Sequence, residues 1–375
     1  MESGVFLALP LGVMCLHRAA VWLAARRKRV RVGDGGMDPV TWLRPLKPGV
    51  PGIARKLEEF LGCVGVGDEV IFGVEEASAE VELCRVLAAR WSCVKVVVCE
   101  RGAAANPKVA KLLAMTPGAT HSRWILADAE ALIDAEFADA FRREWSAGGA
   151  DVLTAGYHFT GMKTWPQWMD ALAIIQTLWP GLEVVRAFGR MTFTLGACTA
   201  VRRSDIEAIG GWEALACELA EDRRLGALLV GKGRRVRLSE AILSMEVDPI
   251  GWRDYWRHQR RVAVTYRVAT PMGALGMIVT RGFSLSLLVA VIFPSWMTLA
   301  CLVAAAVLHL GSVAGQARRL GVKLGPHVGL SLIAELVETA CWALSWLSRR
   351  VWWGGKWRWI TWRGQIDAGK NGRAG

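Results

Sequence analysis

Three groups of carboxylates stand out by residue type and position. Glu75-Glu76 closes a predicted strand over residues 69–74, and Asp128-Ala129-Glu130 follows the short apolar run 124–127. Glu221-Asp222 opens a predicted helix that ends near Gly231. Two carboxylates at i and i+2 beyond a buried strand point the same way. Asp128 and Glu130 could therefore share a divalent cation held mostly through phosphate oxygens, the usual arrangement for magnesium or manganese with nucleotides. In an open α/β sheet, ligands collect beyond the carboxyl ends of the strands, which is where these groups fall. For one isolated group, acidic first-turn residues complementing a helix dipole would explain as much. Three such groups in one α/β domain favour a ligand site.

The elements that must hold these side chains can be read in order. A strand ends at 42–48 (Trp-Leu-Arg-Pro-Leu-Lys-Pro), followed by a helix over 53–61 and the strand before Glu75. A helix over 79–91, a strand over 95–99 and a short helix over 109–115 lead to Asp128, and another strand is expected at 152–155. Residues 165–189 are amphipathic and rich in Trp, Met and Leu, suited to a lipid-facing groove or to ordinary core. An apolar run then ends at Gly196, and Ser204 with Glu207 forms a capping-box pattern that predicts a helix start at Ser204. Gly210-Gly211 stops that helix, because both residues tolerate positive φ. The helix at Glu221 and a strand over 235–238 complete the stretch.

Composition separates this middle region from the two ends. Of 375 residues, 53% are hydrophobic and 21% charged, with 19 Trp against 3 Tyr, too apolar for a typical soluble enzyme. The long apolar runs lie at the ends. The net charge of +12 does not indicate nucleic acid, since the basic residues flank apolar runs and form no aromatic-interleaved patch. The nine cysteines include no CxxC pair, so neither a zinc site nor a disulfide framework is indicated, and a reducing, cytosol-facing catalytic part fits.

Residues 5–24 are apolar enough to span a bilayer and are followed at once by Arg26-Arg27-Lys28-Arg29 and Arg31. Charge after the apolar stretch reads as an anchor with its C-terminal side in the cytosol; a surface-lying helix is the alternative. Residues 252–261 carry arginines interleaved with Trp and Tyr, as befits a membrane interface or a phosphate site. Two apolar passes, 272–293 and 296–310, are divided at Pro294-Ser295, and Arg281 in the first would be costly at mid-bilayer. The last apolar segment, 328–347, contains Glu335 and Glu338 and leads into a basic, Trp-rich tail. Positive-inside bias argues that this segment lies in the interface or re-enters, which gives three spans. The expected layout is an N-terminal anchor (1–30), a cytosolic catalytic domain (40–267), membrane and interfacial helices (268–348) and a basic cytosolic tail (349–375).

With these residues placed, the chain resembles the ceramide glucosyltransferase family, membrane-bound inverting glycosyltransferases with a GT-A fold, to which hopanoid-associated bacterial enzymes are similar. The matching points run in order along nearly the whole chain: Leu43 to Lys47, Val74-Glu75-Glu76, Asn106-Pro107-Lys108, Asp128, Gly196, Glu221-Asp222, and His258 to Val262. The family signature has three separated aspartates and then Gln/Arg-x-x-Arg-Trp. Here Glu76 stands for the first aspartate, Asp128 and Asp222 match the second and third, His258 and Arg261 fall on the last motif, and Val262 replaces its Trp.

The resemblance implies an integral membrane enzyme, in the inner membrane if bacterial, with its catalytic domain facing the cytosol. A UDP-sugar would lie across the strand ends with Glu75 or Glu76 near the uridine, and Lys108 and Glu221 on the substrate. Asp128, with Glu130, would hold Mg or Mn on the diphosphate. Asp222 would take the proton of the acceptor hydroxyl. Arg261, with His258, would stabilise the departing diphosphate. Ceramide is the first acceptor suggested, with transfer of N-acetylglucosamine to a hopanoid polyol the alternative. A processive polysaccharide synthase would need more spans to build its channel, and a non-catalytic scaffold would have no need of Asp128 and Asp222.

Overall fold

The computed structural model describes residues 2–25, 37–100, 102 and 104–367. The basic cluster at 26–31 lies outside the described residues. The chain forms two compact units, one from residues 28–160 and 190–248, the other from 1–27, 161–189 and 249–375.

The chain opens with helix α1 (Glu2–Ala25), which belongs to the second unit. The first unit is α/β and built on a seven-stranded sheet. Its strands are β1 (Thr41–Pro45), β2 (Glu69–Glu75), β3 (Val94–Cys99), β4 (Arg123–Ala127), β6 (Val152–Thr154), β8 (Cys198–Arg202) and β9 (Val236–Leu238), in the order β3-β2-β1-β4-β8-β6-β9. A smaller sheet joins β5 (Ala131–Leu132), β7 (Tyr157–Thr160) and β10 (Leu243–Glu246). β1 to β4 run parallel, so Pro45, Glu75, Cys99 and Ala127 end on one edge. β8 runs antiparallel to β4 and pairs Cys198 with Ala127, which brings the residues before β8 to that same edge.

Strand alternation sorts the buried side chains onto two faces. Trp42, Phe72 and Ile125 pack with α2 (Ile53–Leu61) and α5 (Ala135–Ser146). Leu43, Ile71 and Leu126 pack with α4 (Pro107–Met115), α8 (Arg203–Ala208) and α9 (Glu221–Gly231), while α3 (Glu80–Arg90) covers the Trp42 face through Cys84 and Leu87. Helices α4 and α9 therefore share a face, and their N-termini face the edge where the parallel strands end. Gly226 sets how closely α9 approaches: a Cβ there would lie 2.4 Å from the backbone of Phe193.

One local expectation fails. The capping box predicted a helix start at Ser204, but α8 begins at Arg203, with no side-chain cap at Arg202. β8 runs to Arg202 opposite Arg123, and the Arg203 amide donates to the Ser122 carbonyl at 2.8 Å. Sheet pairing thus fixes the boundary, and Glu207 pairs with Arg203 at 2.9 Å instead of returning to the cap.

The second unit is helical. Besides α1 it holds α6 (Trp165–Ala173), a π-helical turn (Ile174–Leu178), α7 (Trp179–Phe188), α10 (Trp252–Ala269), α11 (Pro271–Gly276), α12 (Gly282–Ile292), α13 (Trp296–Arg319) and α14 (Leu330–Ser345). Four helical stretches are long and apolar enough to cross a membrane: Ala8–Ala25, Trp165–Phe188, Trp296–Arg319 and Gly325–Ser345. α11 and α12, with the turn between them, form a further pair bent by 67°. Positive-inside bias predicts three spans, with 328–347, which holds Glu335 and Glu338, in the interface or re-entrant. Those glutamates are internally paired. Glu338 accepts from Arg281 and Gln176, each at 2.6 Å, and Glu335 lies 2.7 Å from His309. Pairing answers the cost of Arg281 and of both acids, so composition no longer separates this segment from the others. The tail, read only as basic and Trp-rich, folds into a hairpin of β11 (Arg350–Trp353) and β12 (Lys356–Trp359) against α10, with Arg257 4.1 Å from the Trp352 ring.

Candidate active site

Asp128 is the first residue past β4, and its amide donates to the Ala197 carbonyl at 3.0 Å, tying it to the chain entering β8. Beneath the turn lies Arg44 of β1, fully buried, which donates to the carbonyls of Asp128 (2.9 Å), Ala131 (3.1 Å) and Ala129 (3.4 Å). Burial lowers the Arg44 pKa to about 10, so it stays charged and pins the loop from below. Sequence reasoning gave Arg44 no role. An arginine inside an otherwise apolar parallel strand was the available signal.

Lys108 sits in the first turn of α4 and reaches three acceptors. Its Nζ is 2.6 Å from Asp128 Oδ1, 3.0 Å from the Gly196 carbonyl and 3.3 Å from Glu221 Oε1. Asn106 holds it there. The Asn106 side-chain oxygen caps α4 by accepting from the Lys108 amide at 2.9 Å, as N-caps do. Its Nδ2 donates to the Glu218 carbonyl (2.9 Å) and to Glu221 Oε2 (3.0 Å). One buried amide thus joins the N-termini of α4 and α9.

Asp222, the second residue of α9, is fixed by two bonds. Its carboxylate accepts from the Arg223 amide at 2.7 Å, and its carbonyl accepts from Thr194 Oγ1 at 2.6 Å. Asp222, Lys108 and Asp128 close around Gly196, where a Cβ would stand 3.1, 3.4 and 3.7 Å from their polar atoms. Burial, reinforced by the Glu221 charge, pushes the Asp222 carboxyl up to about 6, and burial also raises Asp128. The neighbouring carboxylates raise Lys108, so its ammonium persists.

The structure thus brings together Lys108, Asp128, Glu221 and Asp222. Glu130 turns to Lys47 at 3.1 Å, a lysine shared with Asp248 at 2.7 Å. Glu75 pairs with Lys111 at 2.8 Å, and Glu76 is exposed beside it. β1 lies between β2 and β4, so these acids stand about 10 Å from Asp128, two strand spacings away. His258 and Arg261 lie on α10 in the helical unit, with Arg261 Nη2 3.2 Å from His258 Nδ1. Among the described residues, no three His, Cys, Asp or Glu side chains gather into a metal-binding group. The donor set that is present, Asp128 with Glu130 nearby, fits an ion held mainly by phosphate oxygens.

The site is thus a group of acids at the carboxyl edge of a mostly parallel α/β sheet, in a chain with four helices long and apolar enough to cross a membrane. The model of glycosyl transferase family 21, the ceramide glucosyltransferase family, matches residues 4–366, and the chain belongs to that family. Its fold is similar to that of a mannosyltransferase from Pyrobaculum calidifontis, PcManGT, solved in complex with GDP-Man and Mn2+. The TM-score is 0.53 at 16% identity, over 90% of this chain and 99% of that one. A probable glycosyltransferase of Bacillus subtilis (strain 168), YdaM, is 38% identical over 68 residues, 18% of this chain and 16% of that protein's length.

Proposed function

We propose that the chain is an inverting glycosyltransferase that moves a hexose, glucose first among candidates, from a UDP-sugar to a hydroxyl of a membrane lipid such as ceramide. One observation carries this reading in a family 21 chain: Asp222, Glu221, Asp128 and Lys108 converge around Gly196 beyond the ends of parallel strands. The fold is read as GT-A.

Asp222 is the base. Its carboxyl, held near neutrality, removes the acceptor proton as the hydroxyl attacks the anomeric carbon from the face opposite the nucleotide. Glu221 stays tied to Asn106 and Lys108, keeping the first turn of α9 still while Asp222 reacts. Lys108 offers a cation to the departing diphosphate. A divalent ion at Asp128, with Glu130 as second ligand, would supply further neutralisation of the leaving group. Glu75 and Glu76 stand at the uridine, and Arg261 with His258 serves the diphosphate. The acceptor is a hydroxyl of a membrane lipid, and the catalytic domain faces the cytosol.

The test is transfer of label from UDP-glucose, UDP-galactose and UDP-N-acetylglucosamine into lipids of membranes carrying the protein. A labelled glycolipid with inverted anomeric configuration is expected. Retained configuration, or no labelled lipid with any donor, would refute the assignment.

A further inference from the structure

We propose that Lys108 is a placeholder for the divalent cation: without donor its ammonium occupies the place on Asp128 that the ion takes when the nucleotide diphosphate arrives. This rests on the glycosyltransferase reading for the identity of the nucleotide, though the competition itself needs only Lys108 and Asp128.

The ammonium has three donors and three acceptors within reach: Asp128 at 2.6 Å, the Gly196 carbonyl at 3.0 Å and Glu221 at 3.3 Å. Its position is built in. Asn106, fully buried, caps the turn that carries Lys108 and holds Glu221 in place with its amide nitrogen. A divalent ion bound to Asp128 Oδ1 would compete with the ammonium for that oxygen. Two cations cannot share it. Without donor, the ion must therefore displace Lys108 and leave it beside a second positive charge.

The donor changes that balance. A diphosphate brings new negative oxygens, and the flexible lysine stem lets the ammonium turn to them while retaining Glu221 or the Gly196 carbonyl. The vacated carboxylate then accepts the ion. Metal and nucleotide should consequently bind with positive coupling, each tightening the other by the same factor. Lys111 pairs with Glu75 at 2.8 Å, two strand spacings from Asp128, and that pair supplies the control.

The experiment measures Mn2+ binding to the full-length protein in detergent by the spin-resonance signal of free ion, with and without UDP. Wild type should bind Mn2+ weakly alone and about tenfold or more tightly with UDP. Lys108→Gln should tighten binding of Mn2+ alone by about tenfold and bring the coupling towards one. Lys108→Arg, which keeps a cation there, should stay near wild type and shows that the site tolerates substitution. Unchanged or weaker Mn2+ binding in Lys108→Gln would overturn the proposal, as would equal tightening in Lys111→Gln, which would point to the general field. Failure of the wild type to bind UDP would fault the donor assignment, while the comparison of Mn2+ alone still decides the placeholder.

Discussion

The molecule holds two clusters of ionisable side chains, and they are built on opposite principles. In the α/β unit, Asp128, Glu221 and Asp222 gather around one ammonium, and Lys108 and Asp128 keep 22% and 28% of their side chains exposed. In the helical unit, Arg281 faces Glu338 and His309 faces Glu335, with at most 5% exposure on any of the four. The first cluster has surplus charge and access to solvent. The second is matched and closed. Charge left unbalanced at an accessible edge marks a place prepared for a ligand, whereas charge balanced in a sealed interior marks a joint. Strong perturbation alone would not have told them apart.

Substitutions should break this contrast in different observables. The largest effect is expected from Asp222→Asn, which should lower transfer by about 100- to 10,000-fold, the range of a lost general base. It should also raise the melting temperature at neutral pH. A carboxyl whose pKa is raised by folding favours the folded state below its unfolded value, and that contribution is lost as pH rises through about 6. Removing the charge removes the loss. A fall in both activity and melting temperature would mean that Asp222 is a structural residue.

The closed cluster should answer the other way. Glu338→Gln leaves Arg281 buried without its counter-charge and should cost about 3–5 kcal/mol of stability, seen as loss of folded protein on detergent extraction. Arg281→Leu combined with Glu338→Leu should be milder than either single change, because well-packed apolar replacements of a buried pair are tolerated. Additive damage in the double variant would contradict the description of this pair as a balanced joint. Gly226→Ala tests the close approach of α9 to Phe193 and should cost about 1–3 kcal/mol through overpacking, measured by thermal unfolding. The smallest effect concerns pH. Activity should rise about tenfold per unit below about pH 6 and level above it, as Asp222 loses its proton. A profile flat from pH 5 to 8 would remove Asp222 from that role.

Much of the α/β unit was legible in the sequence because its signals are local. Apolar runs bounded by glycine or charge mark β2 and β4, and Asp128 announces itself by following one of them. The parts that assemble the site were hidden for a physical reason. Asn106 meets Glu218 and Glu221 more than a hundred positions away, and Arg44 meets the Asp128 turn across 84. No periodicity encodes such partners. Gly226 is a single glycine inside a helical pattern, and only the backbone of Phe193 explains it. The helical unit was harder still. Residues 165–189 read only as an amphipathic stretch for a lipid-facing groove or core, yet Trp165–Phe188 is long and apolar enough to cross a membrane, and a π turn before Pro180 carries Gln176 and Thr177 to Glu338. Positive-inside bias argued against a crossing at 328–347, and nothing local in that segment shows that Glu335 and Glu338 have partners on other helices.

Whether the unbalanced cluster is the catalytic centre is decided by comparing Asp222→Asn with wild type in purified, folded form. Sugar transfer to lipid and UDP binding would be measured on the same preparations. The variant should bind UDP as wild type does and melt higher, while transfer is lost. A variant that still transfers sugar at the wild-type rate would contradict that assignment.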